Sequence, residues 1–149
     1  VVSPDLGGLK MAAAYSQTLG AELAIVAKRR KSPTETEAIS VIGDIEGKNV
    51  LLVDDLTETA GTLVNAASLL KQRGARRIQA CVSHALINEL GIDRLRKSEI
   101  DELITTDSVL RPSIEGVNIT TLSVAGLLGE AIKRIYTNSS VTSLFEFKG

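Results

Sequence analysis

The sequence predicts one α/β domain, with a mostly parallel sheet flanked by helices. Short apolar runs alternate along the chain with segments in which apolar residues recur at helical spacing, the pattern of strands connected by helices. Charged residues directly follow several of these runs, at the end of a parallel sheet where ligands bind. The 149 residues suffice for a substantial core, since a chain of this length buries about 68–70% of its unfolded surface.

Seven apolar runs are predicted to be strands. They cover residues 1–2, 23–27, 38–42, 50–53, 77–83, 100–105 and 117–122. Gly43 and Gly47 follow the third run, and we expect them to turn this edge strand back into the central strand at 50–53 as a hairpin.

Four segments are predicted to be helices, the first, second and fourth from apolar residues at helical spacing and the third as a short charged segment. The first opens at Gly7-Gly8 and has apolar residues at 11, 14, 15 and 19. The second covers 63–73, has apolar residues at 63, 66, 67 and 70, and ends before Gly74. The third covers 91–98, and the fourth has apolar residues at 124, 127, 128, 131 and 135. Both phenylalanines stand in the polar tail, residues 138–149, and indicate docking on this domain or on a neighbour.

The most informative stretch is Asn49 to Thr62. Asp54 and Asp55 are predicted to end its apolar strand, and Thr59-Ala60-Gly61-Thr62 then opens a helix. Backbone N–H groups at a helix N-terminus lack partners and bind anions such as phosphate. The small residues allow a ligand to approach the backbone closely, and the threonine hydroxyls add donors.

Asp54 and Asp55 cannot bind the same phosphate, because like charges repel. They can accept hydrogen bonds from sugar hydroxyls or hold a divalent metal ion. A phosphate at one end and hydroxyls at the other describe a ribose phosphate. The alternative is an ordinary strand, turn and helix with a solvated acidic turn.

Two further charged groups follow predicted strands. Asp5 precedes the first helix, where it serves either as a helix cap or as a ligand-binding carboxylate. Lys28 and Arg30 belong to a basic run placed in a polar loop that contains Pro33. Such a run is a solvated patch or a source of cations for phosphoryl transfer, which requires positive charge at the transferring group.

The composition excludes several classes of protein. The net charge of −1 argues against a nucleic acid or a membrane surface held by bulk charge. The single cysteine, Cys81, allows no internal disulfide and indicates a reducing, cytoplasmic compartment. No apolar run approaches the roughly 18 residues of a membrane span.

His84, the only histidine, is interpreted as structural or solvent-facing rather than as a ligand. The chain begins with Val1 inside an apparent strand, and we interpret it as part of a longer protein.

The central stretch, V-D-D-L-T-E-T-A-G-T-L, resembles the phosphoribosyl-pyrophosphate (PRPP) loop of type I phosphoribosyltransferase folds. The similarity is closest to ribose-phosphate pyrophosphokinases. Residues 1–8, 28–30 and 41–48 also resemble the second half of that family, in order and at its spacing. The resemblance covers nearly all of residues 1–149, and the first half of the family is absent. Glu58 departs from the pattern, because the family usually has aspartate there.

The resemblance implies a reaction, in which the diphosphate of ATP passes to the C1 hydroxyl of ribose 5-phosphate, giving PRPP and AMP. It places the 5-phosphate at 59–62, the ribose hydroxyls at Asp54 and Asp55, and Mg²⁺ at Asp5. It assigns Lys28 and Arg30 to the transferring diphosphate. Glu58 is included in the substrate site although its longer side chain puts its role in question.

The resemblance also implies a homo-oligomer, hexameric in the family, with no nucleic-acid or membrane partner.

Two alternative functions stay open. A nucleobase phosphoribosyltransferase would consume PRPP, but it needs a hood for the base, and no aromatic-rich segment could build one. A non-catalytic regulatory subunit would keep the fold and bind PRPP or nucleotide; the acidic pair and the basic run argue against it.

Overall fold

The computed structural model describes residues 1–29, 38–110 and 114–145. The strands are β1 (Val2–Ser3), β2 (Ala24–Arg29), β3 (Ala38–Ile42), β4 (Asn49–Thr57), β5 (Arg77–Ala85), β6 (Glu102–Thr106) and β7 (Ile119–Leu122). The helices are α1 (Leu9–Leu19), α2 (Gly61–Gln72), α3 (Glu89–Arg96) and α4 (Ala125–Tyr136), and a short 3₁₀ helix covers Thr142–Leu144.

The strands form one sheet in the order β3-β2-β1-β4-β5-β6-β7. Neighbouring strands are parallel except for the β2–β3 pair, which confirms the predicted α/β class. From β1 the chain moves outward to β2, whereas from β4 it moves in the opposite direction to β5. The direction of winding therefore switches between β1 and β4, and open α/β sheets bind their ligands at such a switch point.

The prediction that the edge strand β3 forms a hairpin with the central strand β4 is wrong. Strand β3 is at the edge, as expected, but it pairs with β2 from Arg29↔Ala38 to Ile25↔Ile42 and not with β4. At the end of β3 the chain passes so close to β2 that a Cβ on Gly43 would come within 2.6 Å of the Ala24 Cβ. Beyond Gly43 the chain passes the starting ends of β2 and β1 and enters the sheet at β4.

Helix α2 has the face that its sequence predicts. Leu63, Ala66, Ala67 and Leu70 are all buried, and they belong to the same core cluster as Leu52 of β4. Gly74 has a φ of 88°, the left-handed conformation that ends a helix and that glycine adopts without strain. Helix α2 is therefore held firmly against the sheet behind the loop at 57–62.

Helix α1 shows a different buried face from the one predicted. Ala12 is its buried residue, whereas Ala14 and Leu19 are exposed. A Cβ on Gly8 would lie 2.9 Å from Ser3 Oγ, so the start of α1 approaches β1 very closely. Small residues fit that contact, whereas Met11 and Tyr15, two of the predicted apolar positions, are only half-buried.

Helix α4 is amphipathic, as predicted, but its apolar side is open. None of its residues is buried, and Leu127, Ile132 and Ile135 are 53%, 67% and 67% exposed. Phe145 in the tail is 77% exposed. None of the helices described here is long and apolar enough to cross a membrane.

The central position of β4 predicts a large effect of truncating Leu52, which is 0% exposed. We expect Leu52→Ala to lower the free energy of unfolding by about 3 kcal/mol, through lost apolar burial and a cavity. Leu56→Ala is the matched control on the same strand; Leu56 is 42% exposed, and we expect a loss under about 1 kcal/mol. Urea denaturation measures both, and equal losses would contradict the placement of the core.

Candidate functional site

Asp54 lies at the point where β1 stops and β4 continues. Val2 pairs with Leu52, and β1 ends at Ser3, whereas β4 runs on to Thr57. The prediction that Asp54 and Asp55 end the strand is therefore wrong by several residues. Strand β4 continues because β5 still pairs with it, as far as Thr57↔Ala85. On the side of β1 the sheet has already opened, and Asp54 stands at this opening.

The Asp54 carboxylate is half-buried and lies among other negative charges. Burial raises its pKa above the ordinary value, and the charges of Asp55 and Asp5 raise it further. The N–H of Asp55 donates to Asp54 Oδ1 at 3.0 Å and opposes this rise. The charged form of Asp54 is therefore disfavoured by burial and by its neighbours. Such a carboxylate is expected in a site that binds hydroxyl groups or a cation.

Asp5 is exposed, and its Oδ1 accepts hydrogen bonds from the N–H groups of Gly7 and Gly8 at 2.8 and 3.2 Å. Asp5 thus organises the turn before α1, but it is not the helix cap, because the N-cap is Gly8 and α1 has no side-chain cap bond. Its charge also acts on Asp54, so the fold brings these two carboxylates together across the opening between β1 and β4.

The donor set suits Mg²⁺ in one particular way. Within residues 1–29, 38–110 and 114–145, no group of three or more His, Cys, Asp or Glu side chains could hold a metal ion. Mg²⁺ commonly binds through one or two carboxylates and completes its shell with water and substrate phosphates. Asp5 and Asp54 fit an ion that arrives with a phosphate-bearing substrate, and Mg²⁺ stays a prediction.

The loop before α2 leaves its amides free. Ala60 has a φ of 53° and a ψ of 9°, a left-handed conformation that costs a non-glycine residue about 1–2 kcal/mol. Val64 N–H donates to the Ala60 carbonyl at 2.9 Å, so the amides of residues 61–63 precede the first helical hydrogen bond. These amides face outward at the positive end of the helix dipole.

Three consecutive carbonyl groups of this loop are held from the opposite side, by the turn after β5 and by Arg94 of α3. The donors are Leu86 N–H to Thr57 (2.9 Å), Asn88 N–H to Glu58 (3.0 Å) and Arg94 Nη1 to Thr59 (3.1 Å). Since the C=O and N–H of one trans peptide point in opposite directions, the N–H groups of residues 58–60 point away from α3. No bond from these amides occurs within the described parts of the chain.

A pocket of about 190 Å³ lies in front of these amides, lined by Asp54 and residues 56–62. A larger cavity, about 290 Å³, lies at the far end of the sheet near Thr105 and Ile114. Size alone would select neither of these, because a cavity of about 410 Å³ lies beside α1, near Met11 and Tyr15. The smaller pocket is the better candidate, because free amides and carboxylates meet there.

The structure gathers most of the predicted site residues and leaves others apart. Asp54, Glu58, Thr59, Ala60, Gly61 and Thr62 line the pocket, and Asp5 and Asp55 lie beside it. Glu58 is exposed, so its extra methylene has room outside the loop. His84 is exposed at the end of β5, with Nδ1 2.7 Å from Ser108 Oγ, which fits its structural interpretation.

The basic run differs from expectation. Lys28 was predicted in a loop, but its backbone continues β2 and pairs with Ile39, because β3 extends that strand. Arg30 lies outside the described residues. One strand, β1, lies between β2, which carries Lys28, and β4.

The sequence did not indicate the residues behind the loop. Asn88 caps α3, and its Oδ1 accepts the N–H of Gly91 at 3.0 Å. A Cβ on Gly91 would come within 2.5 Å of the Glu58 carbonyl oxygen. An asparagine cap followed by a glycine in the first helical turn was the available signal, since glycine inside a helix usually marks a close approach.

An open, mostly parallel sheet with free amides at its switch point is an architecture found among α/β domains that bind phosphate-bearing ligands. Comparison with known proteins specifies the family. The profile of the phosphoribosyl synthetase-associated domain matches residues 2–146, and the chain belongs to this family.

Individual relatives agree. The chain is 45% identical over 148 residues to a ribose-phosphate pyrophosphokinase of Chlorobaculum tepidum, covering 99% of this chain and 46% of that protein. It is 41% identical over 145 residues to the one of Thermosipho africanus, covering 97% and 46%. The crystal structure of phosphoribosylpyrophosphate synthetase from Mycobacterium smegmatis is similar with a TM-score of 0.81 and 30% identity, over 93% of this chain and 45% of that one. The chain thus spans less than half the length of the relatives it matches.

The raised pKa of Asp54 predicts that this carboxylate destabilises the fold at neutral pH. Below about pH 3.9, the ordinary value, the group is protonated in both the folded and the unfolded chain and there is no penalty. The penalty grows as the pH rises through the raised pKa. We expect Asp54→Asn to raise the free energy of unfolding at pH 7, with a gain that shrinks on acidification toward pH 4, as urea denaturation would show.

Asp107→Asn is the control of opposite sign. Hydrogen bonds from Ser123 Oγ and Val124 N–H lower the pKa of Asp107, so its charge stabilises the fold at neutral pH. We expect this variant to lose stability at pH 7 and to approach the wild type on acidification. A gain for Asp54→Asn that does not change with pH would contradict the electrostatic explanation.

Proposed function

We propose that the chain is the second half of a ribose-phosphate diphosphokinase, which transfers the diphosphate of ATP to the C1 hydroxyl of ribose 5-phosphate and yields PRPP and AMP. One observation carries the proposal. The loop at 57–59 is bonded from behind through its carbonyls, so its amides and the N-terminus of α2 face a pocket that also contains Asp54. The names of the 41–46% identical relatives support the same reaction.

Each group in the pocket has a part in this reaction. The amides and hydroxyls of residues 59–62 would hold the 5-phosphate, and Asp54 and Asp55 would accept hydrogen bonds from the ribose hydroxyls. This orientation leaves the C1 hydroxyl at the open side of the pocket, away from α2. Glu58 belongs to the same pocket and, being negative, would lie away from the phosphate.

Mg²⁺ would be held by Asp5 and Asp54, and it supplies charge neutralisation for the diphosphate when bound. Lys28 and Arg30 would stabilise the negative charge of the transferring diphosphate. ATP would enter with its diphosphate toward the C1 hydroxyl. The oxygen of that hydroxyl forms the new bond to the β-phosphorus and loses its proton, while the bond to AMP breaks.

The proposal includes a cytoplasmic homo-oligomer, hexameric as in the family. The exposed apolar side chains of α4, with Leu127 and Ile135 53% and 67% exposed, support burial of this helix against another domain or subunit. The net charge of −1 gives no support to a nucleic acid or an anionic membrane as a partner.

The first test uses the 149-residue chain by itself. We expect calorimetric titration to show binding of ribose 5-phosphate, because the loop at 57–62 and Asp54 are present. We expect no AMP release from ATP and ribose 5-phosphate, because the first half of the family, which provides most of its ATP site, is absent from this sequence. Steady AMP release by the chain would contradict the second expectation, and no binding of ribose 5-phosphate would refute the proposed site.

The second test concerns Lys28 in the full-length enzyme. An interaction that forms only in the transition state lowers kcat and leaves KM nearly unchanged. We expect Lys28→Ala to lower kcat by about 10²–10³-fold, as the loss of one preorganised donor does, and KM for ribose 5-phosphate to change by only a few-fold. Asp54→Ala is the comparison, with its larger effect on KM. A raised KM at constant kcat for Lys28→Ala would make Lys28 a substrate-binding residue instead.

A further inference from the structure

Three groups donate to the carbonyls of the loop at 57–62 from behind, and Arg94 is the only one of these donors that uses its side chain. Leu86 and Asn88 donate through their backbone amides, so their bonds follow from the path of the chain after β5. The bond from Arg94 Nη1 to the Thr59 carbonyl, at 3.1 Å, depends on the residue type. It joins α3 to the last peptide before the left-handed Ala60.

The guanidinium lies directly behind the first residue of α2. A Cβ on Gly61 would come within 3.0 Å of Arg94 Nη1, yet Arg94 does not line the pocket in front of the loop. Arg94 therefore stands on the far side of the loop from the proposed phosphate. Arg94 can therefore affect substrate binding only through the backbone of the loop or through the charge of its guanidinium.

The charge of Arg94 is not neutralised by an ion pair within the described parts of the chain. A positive charge close behind a helix N-terminus adds to the potential that attracts anions. The hydrogen bond and the charge thus favour the same outcome, which is a phosphate held by the amides of the loop.

The absence of a side chain at Gly91 allows α3 to approach the loop at 57–62 this closely. It is buried in the first turn of α3, and a Cβ there would meet both the Glu58 carbonyl oxygen and Ile87 Cγ2 at 2.5 Å. The first contact is with backbone, which cannot rotate away. Any side chain at position 91 would therefore push α3 from the loop and carry the Arg94 guanidinium with it.

We propose that Arg94 is a positioning residue of the ribose-phosphate site, holding the Thr59 carbonyl from behind so that the amide of Ala60 faces the 5-phosphate. The assignment rests on the proposed function for the identity of the ligand. The part that concerns the shape of the loop is independent of any ligand.

The experiment compares Arg94→Met with Arg94→Lys in the 149-residue chain. Ribose 5-phosphate is titrated by calorimetry. Loop exchange is followed by NMR without ligand as the hydrogen exchange of the Leu86, Asn88 and Val64 amides, which donate to the carbonyls of Thr57, Glu58 and Ala60. We expect Arg94→Met to weaken binding about ten-fold, the size of one charged hydrogen bond, and to speed exchange in the loop. Arg94→Lys keeps the charge and a donor and should restore both to within a few-fold.

Arg96→Met is the matched control. Arg96 is on the same helix and also donates from its guanidinium to a backbone carbonyl, through Nε to Glu115 at 2.9 Å, but far from the loop at 57–62. We expect wild-type affinity and wild-type loop exchange. Gly91→Ala should reproduce the faster loop exchange by a steric route, although alanine favours a helix more than glycine does.

The outcomes separate the two proposals. Wild-type affinity and wild-type loop exchange in Arg94→Met, or equal losses in Arg94→Met and Arg96→Met, would overturn the role of Arg94 and leave the proposed function intact. If the wild-type chain does not bind ribose 5-phosphate, the proposed function fails and the ligand of this assignment fails with it. The exchange rates would then still decide whether Arg94 positions the loop.

Discussion

The site depends on one constraint in the sheet, which is that β1 stops while the neighbouring β4 continues. Beyond Ser3 the chain leaves the sheet for α1, and β4 keeps only its partner on the other side, β5. The opening exposes Asp54 beside Asp5 without unpairing β4. Had β1 been as long as β4, a strand would occupy the space where these carboxylates meet.

The other side of β4 supplies rigidity. Strand β5 accompanies β4 to its end, and the turn after β5 donates to the loop carbonyls that follow. Backbone polar groups buried without partners are costly, so bonding the carbonyls from α3 leaves only one side toward which the amides can face. Ala60 keeps its left-handed conformation because this surrounding structure determines it.

The same arrangement predicts that the charged pocket reduces stability. Carboxylates that lie close together and partly away from water are disfavoured when charged, which is why the pKa of Asp54 is raised. A bound cation or the hydroxyls of a sugar would offset that cost. The fold provides the compensation through its core, in which β4, β5 and α2 bury Leu52, Ile78 and Leu70 completely, far from the charged pocket.

Local sequence determined the parts that depend on neighbours in the chain. The α/β class, the face of α2 and its stop at Gly74 follow from periodicity and from glycine, because short-range sterics and apolar spacing decide them. The grouping of Asp54 with the small-residue loop could also be predicted, since the helix starts within a few residues of the strand. The assignments to substrate and to Mg²⁺ came from resemblance and stay predictions.

Only the tertiary structure decided what depends on residues distant in sequence. The extension of β4 beyond Asp55 required β5, the chain after β3 passes two strands, β2 and β1, to enter the sheet at β4, and the contact of Arg94 with Thr59 spans 35 residues. The exposure of α4 is similar, since amphipathic spacing predicts a helix but not whether its apolar side finds a partner. Local patterns carry no information on which strand ends first or which helix passes behind a loop, because packing across the whole chain determines both.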